Sequence, residues 1–232
     1  LGVFSGSFDS AAASAVVAGD GIEQWDVLDA MASLVGKSMV NADKTAEDTT
    51  RYSMLETLRQ YAREQLEESG AADDWRRRHA HHYASFAERT GADLLGPDEL
   101  AARQRVRVDL DNLRAAVTWC LDSADAADVE VGVGIVADLA YECSSNMASG
   151  IGAWAEHAVE SARASSPTRL RAVLGAAAYH LLQGRGEWQA GIVRADEGVL
   201  IPLVPGDRPN VMADVAAGMG CLRTGDVDRV LR

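Results

Sequence analysis

Gly150-Ile-Gly152-Ala-Trp154 recurs as Gly184-Arg-Gly186-Glu-Trp188, a spacing of 34 residues between the tryptophans. A period of that length is the signature of stacked helix pairs. One such pair cannot bury its apolar face alone, so the chain around the repeat must build an array in which each unit covers its neighbour. A third unit is suggested by Ala172 to Gly184 set against Ala213 to Gly225, offset by 41; the seven extra residues fit a loop around Pro202, Pro205 and Pro209. Gly150, Trp154, Gly184 and Trp188 are therefore expected to be packing positions of the repeat, and Trp25, Trp75 and Trp119 core or inter-helix residues.

The remainder of the chain reads differently. Asp9 or Ser10 can cap a short Ala-rich helix that Gly19-Asp20-Gly21 ends. A helix over about 22–35 follows, with Trp25, Leu28, Ala32 and Val35 on one face and Gly36 at its C-terminal cap. Residues 37–41 and 51–55 predict two short strands, and a third helix places Leu55, Leu58, Ala62 and Leu66 on one face. Helix, helix, hairpin, helix outlines a winged-helix-like domain over 1–70. Residues 71–122 predict two long linker helices, from about Asp73 to Arg89 and from Pro97, the second with an apolar stripe of Leu110, Leu113, Val117, Cys120 and Leu121. The fold class expected is mainly α: a small winged-helix-like domain with a β-hairpin, then a TPR-like α-solenoid over 123–232.

Charge and composition narrow the function. Thirty-five acidic residues against 22 basic ones give a formal net charge of −13 over 232 residues. Nucleic-acid binders draw most of their affinity from Lys and Arg on phosphates. The second helix carries Glu23, Asp26 and Asp29, the hairpin adds Asp43, Glu47 and Asp48, and only Lys37, Lys44 and Arg51 offset them. The expectation is that this chain makes no direct nucleic-acid contact. Cys120, Cys143 and Cys221 lie far apart, which suits buried thiols in a reducing compartment. With no secretory signal and no apolar run near the length that spans a bilayer, a cytoplasmic protein without a membrane partner is expected. The chain starts at Leu1 without Met and ends inside an apparent helix start at Asp226 to Arg232, as expected of a fragment.

No constellation of catalytic residues stands out. Gly36-Lys37-Ser38 imitates the tail of a phosphate-binding loop, but Met31 stands where its first glycine belongs, and the segment follows a helix instead of a strand. Gly132-Val-Gly134-Ile-Val-Ala137 imitates a dinucleotide fingerprint without a βαβ frame, and fits close helix packing better. Arg76, Arg77 and Arg78 with His79 and His82 form the one basic cluster, read as an interface or solvated helix face and not as a metal site. Neither a catalytic residue, nor a metal, nor a cofactor is assigned.

Five segments, taken in order, resemble one family: Leu1-Gly-Val-Phe-Ser-Gly-Ser-Phe, Leu34-Val-Gly-Lys-Ser-Met-Val, Arg51-Tyr-Ser-Met-Leu-Glu-Thr-Leu-Arg-Gln-Tyr-Ala-Arg-Glu-Gln-Leu, Arg76-Arg-Arg-His-Ala and Leu110-Asp-Asn-Leu-Arg-Ala-Ala. The family is the bacterial STAND-class, NB-ARC-like signalling ATPases found with LuxR-type or AfsR-like transcription factors and sometimes with nucleotide cyclases. The resemblance implies an upstream P-loop ATPase domain in the same polypeptide that binds ATP or ADP, a winged helix folded against it, and repeats that sense a protein or small-molecule inducer. Lacking Walker motifs, this fragment is not expected to be an enzyme, whereas the parent would bind and hydrolyse ATP. Relatives place a Met-His-Asp sequence at the last winged-helix helix to sense nucleotide; Met54, Leu55 and Glu56 are the matching residues, and Leu55 offers phosphate no hydrogen bond. The alternative is a standalone TPR-like scaffold that binds a peptide or protein without nucleotide.

Overall fold

A computed structural model describes residues 1–45, 49–205 and 211–225. The chain divides into two compact units, residues 1–83 with 108–116 and residues 84–107 with 117–232, so that the segment 71–122 is shared between them. The expected acids Glu47 and Asp48, Pro209 and the helix start at 226–232 lie outside the described residues.

In the first unit, α1 (Ser10–Val17) is capped by Asp9, whose Oδ1 accepts from the Ala12 amide at 2.7 Å. Positive φ at Gly19, Asp20 and Gly21 turns the chain into α2 (Gln24–Gly36). This helix runs through Gly36, and its end is closed one residue beyond the expected glycine cap. Ser38 takes φ 57°, and the Met39 amide reaches back to Leu34 O at 2.9 Å. That is a Schellman closure with serine in the left-handed position usually given to glycine. It delays β1 to Val40–Lys44, which pairs antiparallel with β2 (Thr50–Met54) in the register Val40↔Met54 and Ala42↔Tyr52. On its other side Tyr52 exchanges two backbone hydrogen bonds with Phe8, adding a single bridge to the hairpin.

Helices α3 (Glu56–Glu68) and the first half of α4 (Ala72–Asp93) complete this unit, together with the start of α6 (Leu110–Leu121). The core is aromatic. Phe4 stacks on Phe8 with ring centroids 4.3 Å apart and meets His79 edge-on, and His79 lies against Tyr83. The apolar face of α2 is set by Val27 and Met31, both buried, and Trp25 is 77% exposed, contrary to its expected place in the core. A one-residue rotation of the helix face is enough for this: Leu28 and Val35 sit at the edge of the buried stripe and Ala32 outside it.

The second unit is a helical array. A break at Asp109 splits the expected second linker helix into α5 (Glu99–Val108) and α6. Then follow α7 (Ala126–Asp138), the short α8 (Glu142–Ser145), α9 (Ile151–Ala162), α10 (Pro167–Tyr179), a π-helical turn His180–Arg185, α11 (Trp188–Val199) and α12 (Met212–Thr224). Each long helix from α9 onward packs on its successor, and α10 also packs on α7 and α12. Nine consecutive residues of α10, Arg171 to Tyr179, are buried, which makes it the axis of the unit. Small residues permit this. A Cβ on Gly175 would stand 2.4 Å from the Ala213 amide nitrogen of α12, and one on Gly132 of α7 would stand 2.7 Å from Cys120 Cβ. The Gly132–Gly134 segment thus serves helix packing, and Gly36-Lys37-Ser38 is a helix end. Arg171 fastens the far end: its buried guanidinium donates to the carbonyls of Gly198, Val199 and Ile201 at the end of α11, and to both oxygens of Asp214 on α12 at 2.7 Å. No helix among the described residues is long and apolar enough to cross a membrane.

Candidate functional site

Helix α1, the glycine turn and α2 form a helix-turn-helix, and β1–β2 lies directly after it as a wing. The outward side of α2 carries Trp25, Asp26 and Asp29, then Ala32 and Ser33, and ends in Lys37. Asp26 is partly committed, since its carboxylate accepts from the Glu23 amide at 2.9 Å in a capping box. Cations near this face are few: Lys37 at the end of α2 and Lys44 at the end of β1 are exposed or half-exposed, while Arg51 is turned inward.

Arg51 belongs to a polar clamp behind the wing. Its guanidinium faces Asp109 in a two-point contact, Nη2 to Oδ1 at 2.9 Å and Nη1 to Oδ2 at 3.1 Å, and also donates to Ser7 O at 2.6 Å. Asn112 accepts from the Ser5 and Gly6 amides at 2.9 and 3.1 Å and donates to Ser7 O at 2.8 Å. Arg59 donates to Ser5 O, Arg63 to Gly2 O and Ser5 Oγ, and the Tyr83 hydroxyl to Asp109 at 3.1 Å. Residues 2–7 form neither helix nor ladder, so these side chains supply the partners that buried backbone requires. Burial and the neighbouring Asp109 carboxylate push the Tyr83 phenol well above its ordinary range, so it acts as a donor throughout. Sequence reasoning missed Arg51, Asp109 and Asn112 as a set. The available signal was the presence of two polar residues, Asp109 and Asn112, beside the apolar stripe of Leu113 and Val117 on one helix face. Three of the five segments that carry the family resemblance meet in this clamp.

The residues singled out from sequence are dispersed. Met54 ends β2, Leu55 is 51% exposed at the start of α3, and Glu56 pairs with Arg59 one turn on. The basic cluster is not one surface. Arg76 pairs with Glu67 and Asp73, Arg77 with Asp74, and Arg78 with Asp20 while covering the Trp75 ring at 4.8 Å. His79 is only 2% exposed, in the aromatic core, with Nε2 lacking a hydrogen-bond partner. Burial, reinforced by nearby His82 and opposed by a hydrogen bond with Asn112, lowers its pKa to about 3, so it is neutral at physiological pH. His79 therefore drops out of any basic patch, because its side of the helix packs on Phe4 and Tyr83.

In the array the repeat's landmarks hold unequal positions. Gly150 has φ 84° and precedes α9, in which Trp154 is the fourth residue. In the second copy the left-handed residue is Gly186 with φ 70°, Gly184 lies inside the π-helical turn, and Trp188 is the first residue of α11. The helix starts are thus 37 residues apart (Ile151 to Trp188) and not 34. Trp188 packs against a cluster of Ala178, Leu182, Ala195 and Ala216, and its outer ring face is covered by Arg223 at 4.6 Å.

Residues 1–67 match the family model described as a winged helix-turn-helix domain. Over 121 residues the chain is 43% identical to two proteins named as candidate HTH-type transcriptional regulators, Rv0890c of Mycobacterium tuberculosis and Mb0914c of Mycobacterium bovis. That alignment covers 51% of this chain and 13% of each of those proteins. No solved structure matches the chain significantly. These matches overturn the expectation of no direct nucleic-acid contact, since the helix-turn-helix is an architecture that reads duplex DNA. The error lay in taking the acids of the second helix and the hairpin, with the net charge, as enough to exclude contact. Carboxylates repel phosphates but can accept from base edges in a groove, so acids on a reading helix do not by themselves rule out contact.

Proposed function

We propose that the chain is the winged-helix and sensor region of an HTH-type transcriptional regulator of the STAND class. In this reading the first unit presents α2 and the hairpin to duplex DNA and, in the parent protein, restrains an upstream P-loop core that binds and hydrolyses ATP. The helical array receives a protein or small-molecule signal in the cytoplasm and biases the switch between two states. The chain itself performs no reaction and holds no cofactor.

The observation that carries the reading is the helix-turn-helix with its wing, α1 to β2, inside the residues that match the winged-helix model. The exposed face of α2 supplies chemistry for groove reading. Carboxylates accept from the cytosine N4 amine in the major groove, which suits Asp29, and the exposed Trp25 ring can stack or wedge. Lys37 and Lys44 are the cations placed to reach phosphates.

Two phosphate contacts imply a log–log salt slope of roughly −2 for binding to B-DNA. Fluorescence anisotropy of a labelled random duplex pool, from 50 to 200 mM salt (roughly the range over which counterion release is read), tests this. Binding with that shallow slope is expected, lost in the double variant Lys37→Glu/Lys44→Glu and weakened about tenfold by Trp25→Ala, as for loss of about 1.4 kcal/mol. A chain that binds no duplex at the lowest salt would remove DNA contact from the proposal.

A further inference from the structure

The last described helix of the array, α12, has one face covered and another left open. Met212, Ala213, Ala216, Gly220 and Cys221 are buried on the side that packs on α10 and α11. Val211 at its N-cap and Leu222 are 40% and 79% exposed, with Val215 and Gly218 half-buried between them. A Cβ on Gly218 would meet nothing within 4 Å. These four positions fall at i, i+4, i+7 and i+11, a single stripe of helix surface.

The same spacing on α10 shows what such a stripe takes. Arg171, Gly175, Ala178 and Leu182 also stand at i, i+4, i+7 and i+11, and all four are buried where the next helix pair meets them. A Cβ on Gly175 would stand 2.4 Å from the Ala213 amide nitrogen. One on Gly191 of α11 would stand 2.6 Å from Leu182 Cγ and 3.2 Å from Ala178 O. Arg171 donates to Gly198 O at 2.8 Å. Helix α11 comes this close because it presents small residues, Gly191, Ala195 and Gly198, buried at i, i+4 and i+7. The stripe on α12 repeats the pattern, with Gly218 and Leu222 in the places that Ala178 and Leu182 hold on α10. The nearby charges are engaged elsewhere: Asp214 accepts from Arg171, and Arg223 lies over the Trp188 ring.

We propose that the open stripe of α12 seats a further helix of the α11 kind, supplied by the parent polypeptide, with glycine or alanine at i, i+4 and i+7 towards Gly218 and Leu222. The inference rests on the reading of the chain as one region of a longer regulator. In a stack of repeats each unit draws stability from its neighbour, so the contact that α11 makes with α10 is repeated one helix pair on. Large side chains at those three positions would hold the helix off, and charged ones would meet no counter-charge on the stripe. A second copy of the chain has no such face to offer, because its own α11 is already engaged with α10.

The test uses the whole chain and a labelled synthetic helix copying residues 187–200, held helical by a lactam bridge between positions 189 and 193, both exposed on α11. Fluorescence anisotropy is expected to show saturable binding. Gly191→Leu/Gly198→Leu in the peptide, or Gly218→Gln/Leu222→Asp in the chain, is expected to weaken it about tenfold. The chain substitutions fall on open positions, so far-UV circular dichroism should not change. Should that pair perturb folding, Leu222→Ser alone serves instead, with a several-fold loss expected. Absence of saturable binding, or binding indifferent to these substitutions, overturns the proposal. So does self-association of the chain that Leu222→Asp abolishes in analytical ultracentrifugation, since the stripe would then seat a second copy. All of these substitutions leave the helix-turn-helix untouched, so a failure of duplex binding, which tests the regulator reading, is scored separately.

Discussion

The two units solve the same problem, the satisfaction of buried backbone, in opposite ways. In the first, an irregular, mostly half-buried segment over residues 2–7 is held by the side chains of Arg51, Arg59, Arg63 and Asn112, with Asp109 neutralising Arg51. In the second, the helices satisfy their own backbone, so α10 can be buried among alanines and glycines, and Arg171 serves the carbonyls where α11 ends. The lesson is that polar cores follow irregular backbone. The Arg51 guanidinium is held where the Ser7 carbonyl has no ladder to join.

The sharpest way to break this comparison is to remove one side of each solution. Asp109→Ala leaves the Arg51 guanidinium buried without its counter-charge and is expected to cost about 3–5 kcal/mol. Amide hydrogen exchange should then rise in α1 and residues 2–8. Leu174→Ala, in the middle of α10, is expected to cost about 2–5 kcal/mol through a cavity and to raise exchange in α10 and α12. If Asp109→Ala proved as mild as an exposed ion-pair deletion, the clamp would not be what holds residues 2–7.

Acid should separate the units next. His79 in the first unit has its pKa lowered to about 3, so the unfolded chain takes up a proton that the folded chain refuses. Stability from this group is complete above the unfolded value of about 6.5 and falls by up to ~1.4 kcal/mol per pH unit as pH drops towards 3. In the second unit Glu142, buried beside Arg103, has its pKa raised mainly by burial, which gives the opposite slope over the acid range. Urea midpoints read by exchange in α1 and in α10 between pH 7 and pH 4 should diverge, and His79→Gln should flatten the first.

The smallest expected effect is at the end of α2. Ser38→Gly relieves a left-handed serine and should add about 0.5–1 kcal/mol, after the larger entropy of glycine in the unfolded chain is subtracted. Thermal unfolding monitored by circular dichroism measures it.

The helix-turn-helix was largely legible because local chemistry writes it: Asp9 caps α1, Gly19 and Gly21 permit positive φ, and residues 51–55 read as a strand close to the observed Thr50–Met54. The face of α2 was misread because Trp25, Leu28, Ala32 and Val35 match helical spacing almost as well as Val27 and Met31, and periodicity alone does not rank two adjacent stripes. His79 was misread for a related reason, since a run of arginines beside it suggested a surface that Phe4 and Tyr83 in fact cover. The Gly-Trp repeat pointed to stacked helices but set them three residues out of step, because a π-helical turn, invisible in residue types, lengthens the second junction.

Residue order alone decided the elements and their periodicity: helix caps, the hairpin, and the small-residue content that lets helices approach closely. Those depend on interactions within a few residues of each other. The clamp joins Ser5 to Asn112 across 107 positions, and Arg171 joins the end of α11 to Asp214 on α12. Both exist only once the chain has folded, because burial and partnership between distant side chains are properties of position in space and not of neighbourhood along the backbone.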